Sequence, residues 1–529
     1  MELHTAGHRR GVVCAPHHEA AEAGRSILAE GGNALEAMVA MAAMIAVVYP
    51  HMTHVGGDGF WLIRFPSGRL HTIMAAGPAG EYANPDFYEG FETIPPRGPF
   101  AALTVPGAIG GWMLALEAAK ANGGTLPPDV LLLPAIVQAR NGYVVSRSQA
   151  RLTAGKLFEL SVAPGFAETF LRDGEPPAEG STMTQGAFAA TLRHLALEGL
   201  DDFYRGDVGR EMAADLDQIG SPVTRTDLAN YEATLGEPLR LDLPAGTVYN
   251  TDAPTQGVAS LMILALFARL RVTEPESFDH IHGLVESTKR ALRTRDRVLS
   301  DPSRLAHPLD RCLEPRFIAG EAMKIDRRKA ARWPFVSAGA DTVWMGAADT
   351  SGLVVSYIQS LYWEFGSGCV LPRTGVIMQN RGASFSLQRG ALNLVAPGRL
   401  PIHTLNPALA VLKDGRVMAY GAMGGDGQPQ TQAAVFTRHV TFGVPLDAAV
   451  DRPRWLLGRT WGDEHARLRL ESRFDGNLVD RLAAAGHDVE VLSEPYSDTM
   501  GHAGAVVLHP DGTCEGVHDP RADGGAAGV

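Results

Sequence analysis

A threonine hydroxyl becomes a useful nucleophile when a base takes its proton, and a residue freed as a chain N-terminus carries that base itself. Its α-amine has an ordinary pKa of about 7.7–8.0. The run Gly339-Ala340-Asp341-Thr342-Val343-Trp344-Met345-Gly346 has the local features that such a residue needs. Small residues (Ser337, Ala338, Gly339, Ala340) precede the Asp341-Thr342 bond and suit a turn that sets the Thr342 hydroxyl against the Asp341 carbonyl. An alternating, strand-like run follows. Attack would move the acyl group from nitrogen to oxygen, and hydrolysis of that ester would leave Thr342 with a free amine. The cleavage site Asp341-Thr342 divides the 529 residues into 1–341 and 342–529, fragments of 341 and 188 residues.

Other motifs surround that bond. Gly31-Gly32-Asn33-Ala34, Gly56-Gly57-Asp58-Gly59-Phe60, Val105-Pro106-Gly107 and Phe203-Tyr204-Arg205-Gly206 precede it; Phe365-Gly366-Ser367-Gly368, Gly424-Gly425 and Asp519-Pro520-Arg521 follow it. In kind and order they resemble the γ-glutamyltranspeptidase family of N-terminal-nucleophile hydrolases, and the likeness covers nearly the whole chain. The resemblance implies an α+β fold, a four-layer αββα sandwich shared by both fragments. It implies Thr342 as nucleophile and Ser360 as the hydroxyl that hydrogen-bonds it. The backbone of Gly424 and Gly425 would form the oxyanion hole, and Arg97 would grip a substrate carboxylate. The setting of Arg97, Pro95-Pro96-Arg97-Gly98-Pro99, would hold a guanidinium fork in one direction.

The departures from the family are as informative as the matches. Where γ-glutamyltranspeptidases place two aspartates on the substrate α-amino group, this chain reads Arg381-Gly382-Ala383-Ser384. A substrate ammonium would lose its partner, at a cost of several kcal/mol. The family Ser-Ser pair is His403-Thr404, and a family asparagine is Tyr362. Trp344, Tyr362, Trp363 and His403 would narrow the pocket, while Arg97 and Arg381 leave it cationic, as suits a small anion without an amino group. Segments such as Val48-Tyr49-Pro50-His51-Met52, Gly424-Gly425-Asp426-Gly427-Gln428-Pro429-Gln430 and Arg454-Trp455-Leu456-Leu457-Gly458-Arg459 are most similar to the oxamate amidohydrolase subgroup. That likeness implies hydrolysis of oxamate to oxalate and ammonia, in the breakdown of purine-derived nitrogen. In oxamate the carboxylate is bonded to the attacked carbonyl, whereas in a γ-glutamyl group it lies several bonds away. Arg97 cannot serve both from one position, so Arg381, His403, Tyr362 and Thr404 stand as alternative substrate contacts. A γ-glutamyltransferase or glutathione hydrolase, a cephalosporin-type acylase and an unprocessed, non-catalytic binding protein are the competing functions.

The elements that must position these residues follow from pattern. Formal charge of −12 and the lack of a Lys/Arg-rich run argue against nucleic-acid binding. The cysteines, 14, 312, 369 and 514, have no metal-ligand spacing, so no metal, cofactor or disulfide is expected. No signal-peptide pattern begins the chain, which points to the cytoplasm. No apolar run is long enough to span a membrane. The expected partners are a small amide substrate and the two fragments of one precursor, as a heterodimer that can itself dimerise. Helices are expected at His18–Glu30, Ala34–Val48 with Asn33 as cap, Gly110–Ala121, Pro128–Asn141, Val258–Leu270, His280–Leu299 and Pro445–Trp455. Helical patterns also recur at 148–161, 186–199 and 207–218, and residues 303–340 read as a linker. Strands are expected at Phe60–Phe65, Leu70–Ala75, 343–348, 353–360, 375–378 and 408–420. Five arginines at 290, 293, 295, 297 and 304 read as a charged outer helix face.

Overall fold

The computed structural model describes residues 2–333, 341–458 and 467–529. The small residues 337–340 ahead of Thr342, and Arg459, lie outside these.

Alternating apolar segments build two antiparallel sheets of seven strands. From edge to edge, the first contains Gly525–Gly528, Gly11–Ala15, Asp341–Asp349, Val354–Tyr362, Asp58–Arg64, Leu70–Ala75 and Thr234–Gly236. The second contains His4–His8, Cys514–His518, Ala503–Leu508, Val417–Ala422, Ala408–Leu412, Gly246–Asn250 and Leu239–Leu243. Val12, Phe60, Trp344 and Ile358 from the first sheet pack against Leu409, Ala419 and Val506 from the second. Trp344 belongs to this interlayer rather than to a pocket wall: its indole donates to Ser356 Oγ at 2.9 Å and fills the space left by Gly421 and Gly504.

Each sheet must also bury its other face. Helices His18–Ala29, Ala34–Val48 and Ala108–Ala121 cover the first, and Gly257–Leu270, Phe278–Val298 and Gly427–Phe436 cover the second. The result is the αββα sandwich. Helix Ala34–Val48 is apolar on all sides and every residue in it is buried. Its start is fixed by a capping box, with Asn33 accepting from the first turn and Glu36 reaching back to the Asn33 N–H at 2.8 Å. Both sheets draw strands from each side of the Asp341-Thr342 bond, so neither side has a complete core of its own.

Three expectations are corrected. Residues 303–340 are not all linker: the 3₁₀ turn Leu309–Leu313 and the helix Pro315–Ala322 pack on the outer core through Leu309 and Ile318. The helix from Pro445 stops at Asp451, because Pro453 disfavours helical backbone before it, and Trp455–Leu457 then runs as a strand. Residues 375–378 form no strand; Ile377 makes an isolated bridge to Val370 and its N–H goes to His54 Nδ1 instead.

The core contains several histidines that burial holds uncharged. Desolvation pulls His54, His280 and His502 down to about 3, and His403 and His518 to about 4. Unfolded histidine takes up its proton near pH 6.5 while the folded chain does not, so the unfolded state binds more protons and stability falls as pH is lowered. Each such histidine costs about 1.4 kcal/mol per pH unit in that window. Urea unfolding is therefore expected to show a midpoint that falls steadily from pH 6.5 to pH 5; an unchanged midpoint would contradict the buried neutral assignments.

Candidate active site

Strand Asp341–Asp349 is central in the first sheet, and a register shift between Asp341 and Val343 sets Thr342 out of the regular ladder. Thr342 is fully buried, but its surroundings are polar. Its Oγ1 donates to Ser360 Oγ on the neighbouring strand at 3.3 Å and accepts from Gln428 Nε2 at 3.4 Å. Gln428 belongs to the helix that follows the second sheet's strand Val417–Ala422. The hydroxyl thus stands where the two sheets meet. Both bonds are long, as catalytic contacts often are before substrate binds. Ser360 in turn accepts the Tyr362 N–H at 2.8 Å.

Between that strand and helix lies Met423-Gly424-Gly425-Asp426. Gly424 has φ 119° and Gly425 φ 52°, values that L side chains rarely adopt. The turn this permits leaves the two N–H groups without an acceptor among the described residues. Two unused donors at the start of the helix whose Gln428 reaches the Thr342 hydroxyl are what a developing oxyanion requires.

A cavity of about 320 Å3 is lined among others by Tyr362, Arg381, Ala383, Ile402, Thr404 and Asp426; Thr342, Gly424 and Gly425 are not among its lining residues. Arg381 is buried, and among the described residues no carboxylate lies within 4 Å of its guanidinium. Its contacts are Thr404 Oγ1 at 3.4 Å from each Nη and the face of Tyr362, 3.8 Å from the ring centroid. Burial draws it down to about 10, partly offset by Tyr362 and Asp58, so it is cationic at neutral pH. Tyr362 reaches this position through a left-handed backbone, φ 87°, which strains a residue with a side chain.

The predicted residues do not all converge. Ile402 and Thr404 face the cavity, and the alternation of the chain turns His403 away from it. His403 Nε2 lies 3.2 Å from Asp58 Oδ2, and its ring packs edge-on against Phe60. The His403–Asp58 pair does not meet hydrogen-bond geometry, and among the described residues neither ring nitrogen has another partner. With its proton uptake shifted to about 4, it brings no positive charge.

Arg97 is committed elsewhere. Its Nε donates to Glu159 at 3.1 Å, its Nη2 to Glu364 Oε1 at 2.9 Å, and its Nη1 to the carbonyls of Glu364 and Gly366, both at 2.5 Å. It braces the Phe365-Gly366-Ser367-Gly368 turn. Arg97→Met is accordingly expected to cost about 3–5 kcal/mol of stability in urea unfolding, because Glu364 would be left buried beside only the more distant Lys156. A variant of full stability with a raised KM would return Arg97 to the substrate.

Pattern reading missed Arg295 and Asp426 on the cavity wall, Gln428 against Thr342 and Gln256 against the Gly425 carbonyl. Arg295 had been placed on a solvated face. The signal available was its position: an i, i+4 relation to Ala291, which is also buried, marks the inward stripe of its helix. A larger cavity, about 380 Å3, opens beside Tyr49, Arg147 and Asp523, and neither Thr342 nor its partners Ser360 and Gln428 line it.

One cluster has the composition of a metal site. His282, Glu286 and His487 bring ligand atoms within 4.8 Å of each other. Its hydrogen bonds are already internally consistent: His282 Nε2 faces the Asp326 carbonyl at 2.8 Å, His282 Nδ1 meets His487 Nε2 at 2.8 Å, and the Lys289 ammonium reaches Glu286 at 2.8 Å and His487 Nδ1 at 3.4 Å. A lysine inside the cluster supplies the cation that a metal would bring. All four cysteines are buried and unpaired. No helix among the described residues is long and apolar enough to cross a membrane.

Comparison with known proteins agrees with this fold. The family model described as Gamma-glutamyltranspeptidase matches residues 20–529. The oxamate amidohydrolase proenzyme of Klebsiella pneumoniae subsp. pneumoniae is 51% identical over 98% of each chain. The glutathione hydrolase-like YwrD proenzyme of Bacillus subtilis is 38% identical over 98% of each. Among solved structures, the cephalosporin acylase of Bacillus halodurans superposes with a TM-score of 0.91 at 29% identity, covering 100% of this chain and 97% of that one.

Proposed function

The chain belongs to the γ-glutamyltranspeptidase family, and from that premise we propose that it is an amidohydrolase matured at Asp341-Thr342 and specific for a small carboxylate-bearing amide, oxamate above all. In maturation, Thr342 Oγ attacks the Asp341 carbonyl carbon, the C–N bond breaks, and water cleaves the resulting ester. Asp341 is left as a carboxylate end and Thr342 as a free amine.

In turnover the amine takes the hydroxyl proton as Oγ attacks the substrate amide. The Gly424 and Gly425 N–H groups receive the oxyanion, and the protonated amine delivers its proton to nitrogen as ammonia departs. Water then hydrolyses the oxalyl ester on Thr342. Ser360 and Gln428 orient the hydroxyl; Arg381, with Thr404 and Tyr362, receives the carboxylate.

The observation that carries this reading is Arg381: a buried guanidinium paired with no carboxylate among the described residues, on the wall of a cavity that it shares with Tyr362, two residues after Ser360, and with Asp426, which follows the Gly424-Gly425 pair. A substrate carboxylate supplies the missing charge. The 51% identical relative, an oxamate amidohydrolase proenzyme by name, favours the same substrate. An α-amino group finds no such welcome. The two acids on the wall, Asp296 and Asp426, are both held by Arg295.

The test is ammonia release from oxamate set against anilide release from a γ-glutamyl anilide by the matured protein. Oxamate is expected to be preferred by at least about 100-fold in kcat/KM, the worth of one unpaired desolvated ammonium. Brisk release of the anilide would favour the glutathione hydrolase reading.

A further inference from the structure

Of the five arginines in and after helix Phe278–Val298 that the sequence marks as a charged face, only Arg295 is buried. Its Nη1 donates to Asp426 Oδ1 at 2.5 Å and to Gln256 Oε1 at 2.7 Å. Gln256, itself fully buried, donates from Nε2 to the Gly425 carbonyl at 2.8 Å and the Thr404 carbonyl at 2.7 Å. The amide orientation is unambiguous. Arginine can only donate and carbonyls can only accept, so the oxygen must face Arg295 and both hydrogens must face the two loops.

This arrangement bears on the oxyanion donors in two ways. Gly424 and Gly425 have no side chains to hold their peptide planes; the Gly424 carbonyl, in the plane that carries the Gly425 N–H, accepts from Gly427 N–H at 2.7 Å, and the Gly425 carbonyl, in the next plane, accepts from Gln256. Asp426 follows immediately, at the N-terminus of helix Gly427–Phe436. A carboxylate is favourable at a helix start, but here it also stands one residue from the place where negative charge develops during catalysis.

We infer that Gln256 and Arg295 are positioning residues for the oxyanion site: Gln256 fixes the Gly425–Asp426 peptide that adjoins the donor pair, and Arg295 cancels the Asp426 carboxylate that would otherwise oppose the oxyanion. The inference rests on the proposed role of Gly424 and Gly425. Gln256 and Arg295 precede Thr342, whereas Thr404, Gly425 and Asp426 follow it, so the assembly joins the two fragments through the site itself.

The test exploits charge sign. Arg295→Gln and Asp426→Asn break the same buried pair; the first leaves the Asp426 carboxylate uncompensated, the second leaves Arg295 with its other partner, Asp296. If the pair served only the fold, both variants would lose stability and turnover alike. Instead, Arg295→Gln is expected to slow oxamate turnover and maturation by roughly 10- to 100-fold, the effect of one uncompensated charge at a partly buried site. Asp426→Asn should slow turnover far less than Arg295→Gln, because it leaves no uncompensated negative charge next to the oxyanion donors. The double variant should recover most of the loss, and inhibition by oxalate, a planar ground-state anion held by Arg381, should change by less than about 3-fold throughout. Gln256→Met should lower kcat by about 10-fold with little change in KM.

Equal losses in the two single variants, or a double variant no faster than Arg295→Gln, would overturn the proposal. If Arg295→Gln does not accumulate as folded protein, Asp426→Asn and the double variant decide between the same outcomes. If the wild type matures yet releases no ammonia from oxamate, the substrate assignment fails separately, and the maturation rates of these variants still test the oxyanion argument.

Discussion

The chain with Thr342→Ala is expected to remain a single polypeptide and to lose activity by about 10⁴-fold or more, the scale seen when a nucleophile is removed from a site that otherwise stays intact. Thr342 is assigned both cuts: the hydroxyl that would sever the Asp341-Thr342 bond is the one that would attack substrate, and the amine exposed by the first reaction is the base for the second. The alanine variant removes the hydroxyl and one methyl group and is expected to leave the fold alone. Its loss concerns a buried atom bonded only at 3.3 and 3.4 Å, which contributes little to stability. Intact mass and thermal unfolding separate the two effects. A folded, uncut, inactive chain is the expected result, and cutting of this variant at the same bond would rule Thr342 out.

Arg381→Met is expected to lower kcat/KM for oxamate by about 100- to 1000-fold, mainly through KM, because a charge-assisted contact to a desolvated carboxylate is worth roughly 2–5 kcal/mol. The same substitution should leave the resting protein no less stable. Arg381 is a buried cation whose partners among the described residues are one threonine hydroxyl at 3.4 Å and an aromatic face, so an apolar chain of similar length removes a desolvation cost rather than a salt bridge. Arg97→Met is expected to show the reverse pattern, with stability falling while KM holds. Measuring urea midpoints beside KM for both variants assigns the carboxylate to one arginine or the other. Wild-type KM in Arg381→Met would move the anion site elsewhere.

Short-range features were legible in the chain. Helix Ala34–Val48 could be read to the residue because Asn33, Glu36 and Pro50 bracket an unbroken apolar run, and hairpin Asp58–Ala75 because Pro66-Ser67-Gly68 divides two alternating segments. The small-residue run before Thr342, the glycine pair at 424–425 and the missing acid pair at 381–384 were visible for the same reason: each is a statement about neighbours in sequence. Residues 375–378 were misread because their alternation pairs with no sheet, and Trp344 because bulk says nothing about direction.

Contacts between residues distant in sequence were decided only in three dimensions. The sequence by itself determined which groups this chain has for chemistry and the order in which two sheets and their helices are strung together. It could not say which arginine is already neutralised. Arg97, Arg295 and Arg381 are alike as letters; Glu159 and Glu364 claim the first, Asp426 the second, and no acid among the described residues the third. A guanidinium is available to an anion only where the fold has brought no carboxylate to it, and that depends on partners up to 267 positions away.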